Sequence, residues 1–504
     1  MAAVEILPSD EHNEELVRQA HPPDWQNPTP TGRYNLIAIG GGTAGIISAL
    51  GAAGLGGKVA LIERHLLGGD CLNYGCVPSK ALIRAARAAY ESQHGERFGL
   101  RVDGTSEVDF AKVMTRMRQL RAKISHHDSA QRFTDLGVDV FLGEARFTGA
   151  DTVVVDGKEL RFHRCVVATG ARAFVPPIEG LDATGFLTNE TVFSLTELPR
   201  RLIVIGGGPI GCELAQSFRR FGSEVDLVDR APRIMLRDDP DAALVVQRQF
   251  ESEGIRLHLG ASVIRAQKTD SGKQIILVKE GNESIIEGDA VLVAVGRTPN
   301  IDQLDLEKGG IESTARGISV DDRLRSTNKR IFAAGDVAGS YQFTHAADAM
   351  ARICIQNALF MGRKKLSRLV VPHTTYTDPE VAHVGLTLAA AAEKGIEIDS
   401  YKEEMSGIDR ALLDGEDGGF AVVHCSSGTG RVVGATIVGS HAGEMIGEMT
   451  TLMTHNMPLG KLAGVIHTYP TQVEVLKRIA DAYQRTRLTP TVAGIFRHWL
   501  AWQR

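Results

Sequence analysis

The chain has 504 residues, a formal net charge of -5, and 43% hydrophobic against 23% charged residues, the balance of an ordinary water-soluble chain. A single core stops growing at about 250 to 300 residues, so several domains are expected. Mild acidity argues against a nucleic-acid or anionic-membrane partner; six scattered cysteines and a start without basic or long apolar regions exclude a secreted disulfide framework and point to a cytoplasmic setting.

Residues 1–33 are polar and proline-rich and read as an extended arm without a fold of its own. From Tyr34 the pattern becomes a buried strand, then Gly40-x-Gly42-x-x-Gly45 opening a helix, then a second strand ending at Glu63. Such a βαβ unit brings backbone amides at a helix N-terminus to a pyrophosphate and leaves the acidic residue for a ribose hydroxyl. The run 36–57 is uncharged and long enough to span a bilayer, but the same layout recurs with Pro209 and Glu213 inside it, so a membrane helix is not expected.

Next comes Gly68-Gly69-Asp70-Cys71-Leu72-Asn73-Tyr74-Gly75-Cys76-Val77-Pro78-Ser79-Lys80, running into helix formers from Ala81 to Tyr90. Cys76 therefore falls near a helix N-terminus, where the partial positive charge and Lys80 would lower its thiol pKa. A structural disulfide across so short a loop would add only about 2 kcal/mol, and a zinc site lacks a second closely spaced pair. A redox dithiol is the favoured reading.

A helical region is expected from about 107 to 133. It contains His126-His127-Asp128, which reads better as solvated side chains than as a metal site. A β-rich stretch then ends in Cys165-Val-Val-Ala-Thr169-Gly170. The dinucleotide layout returns at Gly206-x-Gly208-x-x-Gly211 with Asp229, again 23 residues from first glycine to acid, so two dinucleotides are expected. Strands follow near 262–268 and 274–278, then Gly296-Arg-Thr-Pro-Asn300, Gly335-Asp336, a helix over 346–361, and a last third that alternates strands and helices without a nucleotide motif. Cys165, Cys212, Cys354 and Cys425 read as buried structural thiols.

In these motifs, and in Tyr376-Thr-Asp-Pro-Glu380-Val-Ala-His-Val-Gly385, the chain resembles the class I FAD-dependent pyridine nucleotide-disulfide oxidoreductases over about residues 34–485, mercuric reductase most closely and dihydrolipoamide dehydrogenase and glutathione reductase next. The resemblance implies an α/β chain with two Rossmann-like domains and a C-terminal α+β dimerisation domain. The expected division is an arm (1–33), an FAD domain in two parts (34–178 and 301–369), an NAD(P) domain (179–300) and an interface domain (370–504).

It further implies that FAD lies on Gly40, Gly42, Gly45, Glu63, Lys80, Thr169, Gly170, Gly335 and Asp336, and NAD(P)H on Gly206, Gly208, Gly211, Asp229, Arg230 and Gly296. Cys76 is implied to be the flavin-side thiol and Cys71 the substrate-side thiol, with Lys80 paired to Glu213. Asp229 favours NADH, whereas Arg230 and Arg233 favour NADPH, so the nicotinamide stays open.

The sequence departs from the disulfide-reducing members where these carry a His base held by a Glu: here the segment reads His467-Thr-Tyr469-Pro470-Thr-Gln-Val-Glu474. A tyrosine of reference pKa about 10 is a poor shuttle near neutrality. Mercuric reductase carries tyrosine there, but its C-terminal cysteine pair and N-terminal metal-binding domain have no counterpart in this sequence. The expected function is a homodimeric flavoenzyme passing electrons from NAD(P)H through FAD to Cys71 and Cys76 and on to an acceptor, Hg(II) favoured, held transiently by the two sulfurs. The alternatives are a dihydrolipoamide-type disulfide reductase using His467 as a displaced base, and a redox-sensing flavoprotein with little turnover.

Overall fold

In the computed structural model, which describes residues 4–100, 107–270 and 272–504, the apolar run after Tyr34 forms the strand Arg33–Ile39 at the centre of a seven-stranded sheet. It pairs in parallel with Val59–Glu63 on one side and with Lys158–Val167 on the other. Its residues Leu36 to Ala38 are wholly buried, as expected of a parallel strand covered on both faces. The short strand Ile331–Ala333 returns to this sheet beside Cys165–Val167, which carries Gly335 and Asp336 back to the first dinucleotide loop.

The second dinucleotide layout builds a four-stranded parallel sheet in the order Arg256–Leu259, Glu224–Asp229, Arg201–Ile205, Ala290–Val293. A three-stranded antiparallel sheet lies between its last two strands in sequence. The region 36–57 is the strand, turn and helix of the first unit, and no helix among the described residues is long and apolar enough to cross a membrane.

The chain divides into two compact units, Met1–Pro232 with Gly254–Leu369, and Arg233–Glu253 with Val370–Arg504. The second is built on a five-stranded antiparallel sheet, His373–Thr375, Glu380–Gly385, Val432–Gly439, Phe420–Ser426 and Ile398–Glu404 in spatial order. The segment 233–253, inside the stretch expected to form the nucleotide domain, belongs to this second unit; His373 Nε2 meets Asp238 Oδ1 at 3.0 Å there.

One expectation is overturned. The described part of the expected arm, residues 4–33, is not without structure: Glu11–Ala20 is a helix N-capped by the Asp10 carboxylate, which accepts from Asn13 N at 2.9 Å. Its Leu16 and Ala20 are fully buried in the first unit's core, and further along Trp25 donates to Val140 O at 3.2 Å while Asn27 exchanges two hydrogen bonds with Leu142. The proline-rich stretch is held against the edge strand Val138–Leu142 by the Trp25 and Asn27 side chains.

Candidate active site

The dithiol loop follows from its glycines. Gly69, at φ 58°, stands where a Cβ would come within 2.5 Å of the Cα of Gly42, so the cysteine loop is pressed against the first dinucleotide turn. A short helical turn, Gly69–Asn73, carries Cys71, and Gly75 caps the helix Cys76–Gln93. Cys76 thus occupies the first position of an 18-residue helix, where free amides and the helix dipole favour a thiolate.

Both thiols are free, Cys76 exposed and Cys71 half-buried. The Cys76 thiol is lowered to about 6, first because Cys71 donates a hydrogen bond to it, then through Thr344 and the charge of Lys80, against the desolvation of a sulfur that protein surrounds although the residue as a whole is accessible. The same hydrogen bond, with burial, raises Cys71. One proton is shared unequally, and the pair titrates as a unit. Thr344 Oγ1 lies 3.4 Å from Cys76 Sγ, at the start of the helix Thr344–Leu359.

Lys80 Nζ sits 2.8 Å from Glu213 Oε2, with the Glu213 side chain only 7% exposed. Arg297 binds two carboxylates at once, Asp70 at 3.1 Å and Asp336 at 3.3 Å, and also donates to Ala171 O at 2.7 Å. It ties the residue before Cys71 to the Gly335-Asp336 turn. Burial raises the Asp336 carboxyl, an effect that Arg297 opposes.

The two dinucleotide turns are near copies. Glu63 accepts from Gly41 N at 2.5 Å and His65 N at 2.7 Å; Asp229 accepts from Gly207 N at 2.6 Å and Ala231 N at 2.7 Å. Gly45 and Gly211 stand where a Cβ would reach 1.8 Å and 1.9 Å from the carbonyl oxygens of Gly40 and Gly206. At Gly208 a Cβ would meet nothing within 4 Å. Helix, strand and acid are packed as a pyrophosphate cradle requires, so these residues fit FAD and a nicotinamide dinucleotide. Thr169 donates to Asn300 O at 2.6 Å, while Gly170 and Gly296 take positive φ at that junction. Arg230 is exposed; Arg233 spends its guanidinium on the carbonyls of Ile234, Met235, Leu236 and Asp238.

In the second unit Tyr469 is 68% exposed and donates to Asp409 Oδ2 at 2.8 Å, which raises its phenol. The His467 side chain is 5% exposed and its Nε2 lies 3.2 Å from both oxygens of Glu448. Glu474 pairs with Arg478 at 3.0 Å. The His126 and His127 rings lie against each other tilted by 38°, and no group of side chains that could hold a metal ion occurs among the described residues. Cys165, Cys212, Cys354 and Cys425 are fully buried, and burial alone raises the thiols of Cys165 and Cys354.

Sequence reasoning passed over Thr344, Arg297 and Glu448. Arg297 had a signal, its place directly after Gly296. Thr344 had none, since it reaches Cys76 across 268 residues.

Comparison with known proteins fits this geometry. The pyridine nucleotide-disulphide oxidoreductase family matches residues 34–351, and the dimerisation domain of that family matches 371–480. Mercuric reductase of Lysinibacillus sphaericus is 35% identical over 90% of this chain and 83% of its own. Dihydrolipoyl dehydrogenase of Chlorobaculum tepidum is 33% identical over 91% of this chain and 99% of its own. The HOCl-induced flavoprotein disulfide reductase RclA from Escherichia coli superposes with a TM-score of 0.80 at 29% identity, covering 89% of this chain and 99% of that one. The chain therefore belongs to the FAD-dependent pyridine nucleotide-disulphide oxidoreductases, which use NAD(P)H.

Proposed function

We propose that this chain is a cytoplasmic homodimeric oxidoreductase that reduces a thiophilic metal ion, Hg(II) first, at Cys71 and Cys76 with electrons from NAD(P)H. FAD, when bound, supplies the two-electron relay between NAD(P)H and the dithiol. Cys76 holds the thiolate, Cys71 holds the shared proton and meets the acceptor, and Lys80 with Glu213 fixes the charge beside them. Two thiolates are the ligands a soft cation prefers. Hg(II) bound by the sulfurs takes two electrons and leaves as Hg(0), while NAD(P)H is oxidised to NAD(P)+ and a proton is released.

The observation that carries this reading is Tyr469. The exposed side chain where disulfide-reducing relatives place an imidazole is a phenol whose proton is held more tightly than usual by Asp409, so proton exchange with a dithiol substrate near neutrality is slow. His467, the candidate displaced base, is buried and already engaged by Glu448. Similarity to mercuric reductases, and to RclA, also solved as a Cu(II) complex, supports a metal acceptor.

The test is the initial rate of NADPH and NADH oxidation by FAD-loaded protein with Hg(II) in excess small thiol, beside a lipoamide control. Fast mercury-dependent oxidation that vanishes in Cys71→Ser supports the proposal. Lipoamide turnover without mercury turnover moves the chain to disulfide reduction; negligible rates with both leave a redox sensor.

A further inference from the structure

The N-terminal segment touches the dithiol loop's surroundings at three points. Ala20 O accepts from Leu67 N at 3.1 Å, and His21 Nδ1 meets the carbonyl of His65. The third point is Arg121, 2% exposed, on the helix Phe110–Ser125. Its Nη1 donates to Asn73 O at 2.7 Å and its Nη2 to Asn13 Oδ1 at 2.6 Å.

Each end of that bridge is fixed. Asn73 closes the turn that carries Cys71, and its carbonyl is one that a helix end leaves without an internal donor. Its amide donates back to Gly69 O at 2.8 Å and Leu67 O at 3.2 Å. Asn13, 2% exposed, receives Arg121 while its own amides bind Asp10 Oδ1 at 2.9 Å and Pro8 O at 2.8 Å. One turn before Arg121, Arg118 Nε binds the other Asp10 oxygen at 2.5 Å. A buried guanidinium is costly unless its donors are matched; Arg121 leaves its Nε without a partner and relies on the two Nη bonds, one acceptor in the N-terminal segment and the other between the two cysteines. The segment precedes residue 34, where the family match begins.

We propose that residues 8–20 brace the dithiol loop, with Arg121 as the positioning residue that sets the spacing between the Cys71 thiol and the Cys76 sulfur. The inference rests on Cys71 and Cys76 being the redox pair. The charged groups that bear on the pair itself, Lys80, Glu213, Asp70 and Asp336, are untouched by a change at Asn13.

The experiment is iodoacetamide labelling of the reduced, FAD-loaded full chain from pH 5 to 10, read by mass on the peptide spanning both cysteines, with melting temperature alongside. Asn13→Ala is expected to slow labelling at least threefold at pH 6.5 and to leave it unchanged at pH 9.5, where the thiolate is formed in either protein. Arg121→Lys, which cannot span both oxygens as the fork does, is expected to shift the profile in the same direction. A lowered melting temperature with an unmoved pH profile in both variants overturns the brace and leaves a purely structural bridge. A Cys76→Ser protein that keeps wild-type acceptor turnover overturns the redox-pair reading instead.

Discussion

Thr344 Oγ1 lies 3.4 Å from Cys76 Sγ and adds to the hydrogen bonds that favour the thiolate, with Cys71 as the other donor. Thr344→Val keeps the side chain's shape and removes the hydroxyl. A hydrogen bond to a charged group contributes about 1.5–3 kcal/mol at most, and sulfur is a weak acceptor, so a rise of about one pKa unit is expected. The sign follows from the cause: losing a group that lowers the pKa raises it. Labelling should therefore fall between about pH 6 and 7 and stay unchanged above pH 9, read from the same pH–rate profile.

Lys80 and Glu213 form a pair with one member nearly buried. Removing one partner of a buried pair costs about 3–5 kcal/mol; with the Lys80 side chain 35% exposed, Lys80→Met is expected to cost roughly 1–3 kcal/mol. Lys80→Met/Glu213→Leu should recover part of that loss. Urea denaturation of the four proteins gives the coupling, and strict additivity would mean that the pair contributes nothing beyond its separate parts.

The two turns predict opposite fates for two glycines. Gly211→Ala drives a Cβ to 1.9 Å from Gly206 O and should prevent folding of the second dinucleotide unit. Gly208→Ala meets nothing within 4 Å. Its stability should stay within about 0.5 kcal/mol of wild type. The added methyl nevertheless occupies the approach to the pyrophosphate, so KM for the nicotinamide should rise roughly tenfold with FAD content intact. Steady-state kinetics beside a melting curve separates the two effects.

Tyr469→His replaces an exposed phenol, whose hydroxyl donates to Asp409 Oδ2 at 2.8 Å, with an imidazole. A well-placed general acid–base group contributes about 10²–10⁴-fold, so lipoamide turnover should rise at least about tenfold, with its optimum near the imidazole pKa. No gain in a folded, FAD-loaded variant would remove Tyr469 from the base position.

The local signals were legible because they are steric and periodic. Glycines that close a strand-to-helix turn, an acid 23 residues on, and a cysteine beside helix formers each constrain backbone within a short window, and the sequence carried them unaided. From them follow the two dinucleotide units, the dithiol and its place at a helix start. The partners that tune the site were hidden because folding, and not spacing, brings them there. Thr344 reaches Cys76 across 268 residues, Arg297 joins Asp70 to Asp336, and Arg121 joins Asn13 to Asn73. The helix Glu11–Ala20 was obscured by the prolines around it; its apolar stripe is short, and only docking onto the first unit's core gives Leu16 and Ala20 a buried place. Tertiary structure also decided which side chain of the last segment is available: Tyr469 stands exposed, while Glu448 holds His467 inside.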